Sequence, residues 1–259
     1  MVHNTNRDTD AHQPLMSYQK PLKLEELTWP KVEQYLQKSR KIVWPMGSTE
    51  QHGPSGILGI DFLSSLKIAE AVSGLTQVMM APVLPFGMAV HHMDFAGTMT
   101  LTPATYLQVL TELFQSLFKH GFTEIFVING HGGNIAPITS ALSQCKQKEE
   151  TQVLKLINWW ILPEVIAYEK QVFGNENGFH ATCGEISVTR YTHPEAYQDV
   201  LFERLPLTAN APHWPMSPRE FRAHFPAGNM GSQPILSSAE HGEKIFSIAT
   251  AAIQKIVLP

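Results

Sequence analysis

Glu124-Ile125-Phe126-Val127-Ile128-Asn129, running directly into Gly130-His131-Gly132-Gly133-Asn134, is the stretch that decides the fold. Its middle is wholly apolar, with no alternation of apolar and polar residues. A strand that is buried on both faces reads this way, and such strands sit centrally in parallel sheets covered by helices. The glycines end the strand. A helical pattern then runs from about Ile135 to Lys148, so the stretch reads as strand, tight turn and helix.

Similar units flank it. Lys41-Ile42-Val43-Trp44 is a second apolar run, expected to stop at Pro45 and Gly47. From Phe62 to Ser73 the apolar spacing fits a helix ended by Gly74. Val78-Met79-Met80-Ala81 is a further buried strand, closed by Pro82. Thr102 and Pro103 open a long helix that Gly121 ends. Val153–Trp159 is a fourth strand, ending at the pair Trp159-Trp160. Upstream, Leu24–Leu27 reads as a helical turn, and a helix entered at Trp29-Pro30 runs to about Ser39. Downstream come a turn over Asn175–Gly178, a short helix around Glu185–Tyr191, a proline-rich excursion over Leu205–Gln233 and a closing helix over Ser238–Val257. Alternating strands and helices predict an α/β fold, a single domain with a mostly parallel central sheet and helices on both faces. The domain is expected to span 16–259, after a disordered segment over 1–15.

The bulk properties restrict the function. The chain has 259 residues, of which 43% are hydrophobic and 16% charged, enough apolar material for a sizeable core. A net charge of −4 and no long basic run argue against a nucleic-acid surface. No apolar stretch reaches the ~18 residues that span a bilayer. Cys145 and Cys183 form no disulfide framework, and the polar start MVHNTNRDTDAHQP has no apolar signal region. A cytoplasmic protein with no membrane partner is expected.

Candidate chemistry begins at Pro45–Asp61, PMGSTEQHGPSGILGID, where the chain leaves a strand at the edge that holds ligands in open α/β sheets. Glu50 and His52 are two positions apart and project to one side of an extended chain. A carboxylate and an imidazole converging on one point suit a divalent cation. Asp61 follows nine residues after His52. An isolated E-x-H is more often chance than ligand, and an Asp there could be a helix N-cap. His131 shifts the balance. Glycines on both sides let the backbone fold tightly and aim its ring, and the dinucleotide fingerprint lacks its third glycine. Val83–Leu101, carrying His91, His92 and Asp94, reads as a site loop with a hairpin-like return. His180 and Glu185 form a third cluster, equally open to a structural reading.

Taken together, these segments resemble the creatininase (creatinine amidohydrolase) family of binuclear metal hydrolases. That family shows G-S-x-E-x-H-G-P with an Asp nine residues beyond the His, here Gly47 to Pro54 and Asp61. It shows N-G-H-G-G-N after a central strand, here Asn129–Asn134. It shows an aromatic-Gly pair leading to H-x-x-F-x-G-T, here Phe86-Gly87 through His92, Phe95, Gly97 and Thr98. It shows H-A-x-x-x-E-x-S, here His180-Ala181 through Glu185 and Ser187. The resemblance implies that Glu50 and His131 bind one cation and His52 the other. Asp61 would bridge both, and Glu185 would join on the His52 side. Two divalent metal ions per chain, of zinc, manganese or iron, would be the cofactors. In creatininase the turn after the histidine carries a glutamate ligand, and Gly133 stands there in this chain. Ser55-Gly56-Ile57 replaces H-L-P, and Thr182-Cys183 replaces Gly-Glu in the fourth block. These departures point away from creatinine itself. Family members often assemble as hexamers, which implies a homo-oligomer.

The implied reaction is hydrolysis of a C–N bond in a small cyclic amide or formamide by a hydroxide bridging the metals. His180 is the candidate proton donor to the departing nitrogen. His92, Trp159 and Trp160 are candidates for the substrate pocket, although core packing accounts equally well for the tryptophans. The rival is a non-catalytic metal-containing protein on the same fold. A nucleotide-binding module fits poorly without a Walker lysine.

Overall fold

The computed structural model describes residues 18–148, 150–208 and 210–258. The segment expected to be disordered, 1–15, lies outside the described residues. In chain order the elements are α1 (Trp29–Leu36), β1 (Lys41–Met46), α2 (Ile60–Thr76), β2 (Met79–Met80), α3 (Pro103–His120), β3 (Glu124–Asn129), α4 (Ile135–Lys148), β4 (Val153–Asn158), α5 (Pro163–Val172), α6 (Cys183–Thr192), α7 (Pro218–His224) and α8 (Ala239–Val257). The strands form one sheet in the order β2-β1-β3-β4, parallel throughout.

The unbroken apolar run of β3 has the expected cause. Ile125 and Val127 face one layer, with Tyr106, Leu110 and Phe114 of α3 and Ile138 of α4. Phe126 and Ile128 face the other, with Ile68 and Val72 of α2, Val188 of α6 and Ile245 and Ile253 of α8. Helices cover both faces, so neither set of alternate residues meets water.

Two expectations about the first unit fail for tertiary reasons. β1 does not stop at Trp44 but runs through Pro45 to Met46. Along a parallel strand alternate residues point to opposite neighbours, and Pro45 shares the side of Val43, whose carbonyl accepts from Ala81 N–H at 2.9 Å. On that side β2 has already ended, so the missing N–H of proline removes no ladder bond. Helix α2 likewise runs past Gly74 to Thr76 and is closed by Gln77 in the left-handed conformation. Gly74 is needed for close packing, because a Cβ there would lie 2.5 Å from the Gln19 carbonyl.

β4 ends at Asn158, one residue short of the expected Trp159, and a 3-10 turn over Trp159–Ile161 follows. The return of the 83–101 loop is no hairpin: Gly87 bridges Thr100 in parallel, and Thr49 pairs Met99. Helix α5 is unforeseen. Helix α7 forms inside the proline-rich excursion, started by a capping box of Ser217 and Glu220. No helix among the described residues is long and apolar enough to cross a membrane.

What matters for function is the register. Met46, Asn129 and Asn158 are aligned neighbours at the carboxyl edge. The segments carrying Glu50, His52 and His131 therefore leave the sheet side by side.

Candidate metal centre and active-site cleft

Two glycines bring the first turn of α2 between these strand exits. A Cβ on Gly47 would lie 2.3 Å from Phe62 N, and one on Gly130 would lie 2.1 Å from the Asp61 carbonyl. With hydrogen at both positions, Asp61 reaches both exits. Its Oδ1 lies 3.0 Å from His52 Nε2 and its Oδ2 lies 3.0 Å from His131 Nδ1. Each oxygen of one carboxylate faces a different imidazole, as a bridging group requires. Glu50 Oε2 stands 3.2 Å from the same His131 nitrogen.

Glu185 enters from the first turn of α6. It takes part in a capping box with Thr182, where a carboxylate is electrostatically favoured, and lies 3.9 Å from His52 Nε2. His180 Nδ1 lies 3.8 Å and His92 Nε2 3.4 Å from Glu50 Oε1. All five residues suggested as metal ligands thus converge, with His180 and His92 beside them. Glu50, His52 and Asp61 are at most 2% exposed.

Ring orientation is set from outside the cluster. His52 Nδ1–H donates to the Glu50 carbonyl at 3.1 Å, and His131 Nε2–H donates to the Met88 carbonyl at 3.0 Å. Each ring then turns its other nitrogen inward, as second-sphere carbonyls do for metal-binding histidines. The same contact accounts for Gly133. A Cβ there would lie 2.2 Å from the Met88 carbonyl and 2.5 Å from His131 Nε2, so the pair that orients His131 occupies the start of any side chain.

The donor set fits divalent cations. Among the described residues, the ion-pair partners of Glu50, Asp61 and Glu185 are all histidines. Both oxygens of Glu50 and Oδ2 of Asp61 accept no well-formed hydrogen bond. Buried carboxylates left in this state are costly unless a cation meets them. Two residue groups here, Glu50-Asp61-His131 and His52-His180-Glu185, have ligand atoms close enough to share an ion, and so does a third, Glu50-His92-His180.

Without a cation, protons take its place. Burial works against charging His52, but the fields of Asp61, Glu185 and Glu50 and the Asp61 hydrogen bond overcome it and raise the imidazole to about 10. His131 is raised in the same way, chiefly by Glu50 and Asp61 acting against burial. Burial lifts Glu185 to about 7, with His52 opposing. A cation needs the lone pairs that these protons occupy. Loading zinc near pH 7 should therefore release protons, and affinity should rise with pH towards 10 as His52 gives up its own. Indicator dye in weak buffer measures this, and loading without proton release would contradict it.

A cavity of about 1190 Å³ opens above the cluster, with Trp160, Phe179, Trp214, Met216 and Val90 on its walls. Phe179 is 76% and Trp214 54% exposed. Trp160 and His92 therefore lie where pocket residues were expected. Trp159 does not: it is buried in the core with Ile157, Val165 and Phe173. The strand ends one residue before it, and its side chain turns under the sheet edge. Phe179, Trp214, Met88 and Gln51 were not singled out by sequence. Phe179 and Trp214 sit in segments without periodicity, and Met88 acts through its backbone.

Comparison with known proteins places the chain in a family and a fold. The family described as Creatininase, creatinine amidohydrolase, matches residues 25–257. The mycofactocin precursor peptide peptidase of Mycobacterium ulcerans (strain Agy99) is 29% identical over 85% of this chain and 81% of its own length. The creatinine amidohydrolase of Pseudomonas putida is 24% identical over 88% of this chain and 93% of its own. A crystal structure of creatinine amidohydrolase (creatininase) shares the fold at a TM-score of 0.81 and 21% identity, covering 93% of this chain and 99% of that one. On the family match and the shared fold, the chain belongs to the creatininase family of hydrolases.

Proposed function

We propose that this protein hydrolyses a C–N amide bond with the help of two divalent cations, which Glu50, His131, His52, Glu185 and the shared carboxylate Asp61 would hold. The observation that carries this reading is the set of three carboxylates, two of them fully buried, whose only ion-pair partners among the described residues are imidazoles, at the floor of an open cavity. Bound there, such cations would bring the pKa of a water towards neutrality and draw charge from an amide oxygen. Mixed nitrogen and oxygen donors without thiolate suit zinc, manganese or iron.

The chain's own residues handle the proton. His180 Nε2–H donates to the Gln51 carbonyl at 2.9 Å, which leaves Nδ1 as a lone pair facing Glu50. Burial, with His52 next in effect, lowers this imidazole to about 3, so it rests neutral. His180 Nδ1 takes a proton from the attacking water and passes it to the departing nitrogen, while the Gln51 carbonyl steadies the ring when charged.

The sequence suggested a small cyclic amide or formamide. The cavity volume favours an amide within a larger molecule, because about 1190 Å³ greatly exceeds what a small ring fills. Trp160, Phe179 and Trp214 would receive apolar groups beside the scissile bond. The mycobacterial relatives are named as peptide peptidases, in keeping with that class. A peptide substrate with aromatic or aliphatic residues flanking the cleaved bond is therefore the favoured reading.

The test is a panel of creatinine, simple formamides and short apolar peptides offered to zinc- or manganese-loaded protein. Peptides should be cleaved with kcat/KM at least tenfold above creatinine, about 1.4 kcal/mol in transition-state binding. Preferential turnover of creatinine would reject the peptide reading. Full metal loading with no amide turned over would favour the non-catalytic rival.

A further inference from the structure

Four imidazoles surround Glu50 and Asp61, and their outer nitrogens do not meet the same kind of partner. Those of His52, His131 and His180 each face a main-chain carbonyl, of Glu50, Met88 and Gln51, at 3.1, 3.0 and 2.9 Å. A carbonyl only accepts. Each of these nitrogens carries a proton, so the inward nitrogen is the one that can offer a lone pair, in His52 and His131 once a cation displaces its proton.

His92 is different. Its Nδ1 lies 2.8 Å from the side-chain nitrogen of Gln51. The orientation of that amide is fixed, because Gln51 Oε1 accepts from Gly53 N–H at 2.8 Å. Gln51 Nε2 has two hydrogens, and its other acceptor is the Gly228 carbonyl at 3.0 Å. His180 Nε2 is also 3.0 Å from this nitrogen, but it already donates to the Gln51 carbonyl. So His92 Nδ1 must accept. The proton of the neutral ring then sits on Nε2, the nitrogen 3.4 Å from Glu50 Oε1.

We propose that Gln51 sorts the histidines of this site, holding His92 with its N–H turned inward towards Glu50 and so excluded from metal ligation, while its main-chain carbonyl holds His180 with a lone pair turned inward. Distance alone does not exclude His92, since the ligand atoms of Glu50, His92 and His180 lie within 4.8 Å of one another. The tautomer excludes it. The His92 N–H faces Glu50 Oε1 at 3.4 Å, and Oε2 is the oxygen that Glu50 turns to the His131 side, where a cation would lie. Gln51 is thus a positioning residue, buried at 4% exposure and acting on both neighbours of the reaction.

The assignment of roles rests on the proposed hydrolase reading, but the tautomers can be read without turnover. Nitrogen-15 spectra of histidine-labelled protein, zinc-free and zinc-loaded, give the protonation of each ring nitrogen. The expected result is an unprotonated Nδ1 and a protonated Nε2 for His92 in both states, and the same tautomer for His180, whose unprotonated Nδ1 is the inward nitrogen whereas that of His92 is the outward one. A protonated His92 Nδ1, or a zinc-shifted His92 Nε2, would overturn the proposal. In Gln51→Glu the side chain can only accept at that position when ionised, so His92 should invert while His180 stays as it was. A folded variant without inversion would also overturn it. If the variant does not fold, the wild-type spectra decide alone. Failure to load zinc would count against the hydrolase reading and leave the zinc-free tautomers to judge the sorting.

Discussion

Asp61→Ala is expected to empty both cation positions and to remove turnover with them. Asp61 is the carboxylate whose two oxygens reach both His52 and His131, the imidazoles of the two proposed cation positions, at 3.0 Å each. Its loss removes a ligand from each half of the site and one of three negative charges that offset the cations. Loss of an outer-sphere partner already weakens metal affinity by about 10–100-fold, so loss of a shared direct ligand should exceed that. The fold should survive. Alanine favours a helix at this first turn of α2, and His52 and His131 can rest neutral when the carboxylate that charges them is gone. Metal analysis after dialysis, with circular dichroism as a control, measures the effect. Retention of two ions per chain would show that Asp61 does not bridge.

His180→Ala should separate chemistry from binding. The proposed cations have Glu50, His131, Asp61, His52 and Glu185, so metal content should stay near the wild-type value. Turnover should fall by about 10²–10⁴-fold, the usual cost of losing a proton-transfer group. The loss should be smaller for an amide whose departing nitrogen is weakly basic, because it needs less help to leave. His180 also belongs to a group with His52 and Glu185 that is spaced for a cation. A variant that loses one ion would make His180 a ligand, and a variant with unchanged activity would make it a packing residue.

Where signals were local, the sequence could be read nearly to the residue. Helix α3 begins at Pro103 behind a Thr102 cap and ends at a left-handed Gly121, as its own residues indicate. Strand β3 spans Glu124–Asn129 as its apolar run required. Reading failed where the outcome depended on a distant partner. Pro45 stays in β1 because β2 is too short to need its N–H. Gly74 stays in α2 because Tyr18 and Gln19 pack on it. For Trp159 and Trp160 the sequence offers two identical neighbours, and only the end of β4 at Asn158 decides which one is buried. The site was legible at its carboxylates and imidazoles because their types and spacing limit the chemistry. Gln51 was not, since an amide between two candidate ligands has no spacing signature of its own. The cleft walls were not either, because a proline-rich stretch gives no period by which to place Trp214.

The origin of these walls has an evolutionary consequence. Every charged group facing Asp61 comes from a strand exit or the first turn of a helix, anchored to the core through glycines that tolerate no side chain. Trp214 and Met216, by contrast, belong to the excursion between α6 and α8, which contributes no strand to the sheet. Mutational drift is therefore constrained very unequally. The reacting end is locked to the scaffold, whereas the part of the wall around Trp214 and Met216 can lengthen, shorten or change composition without displacing the carboxylates, provided Gly228 and Met230 keep their bonds to Gln51 and His180. Within such an architecture, new substrate preferences can arise by remodelling one surface segment while the inherited chemistry is left intact.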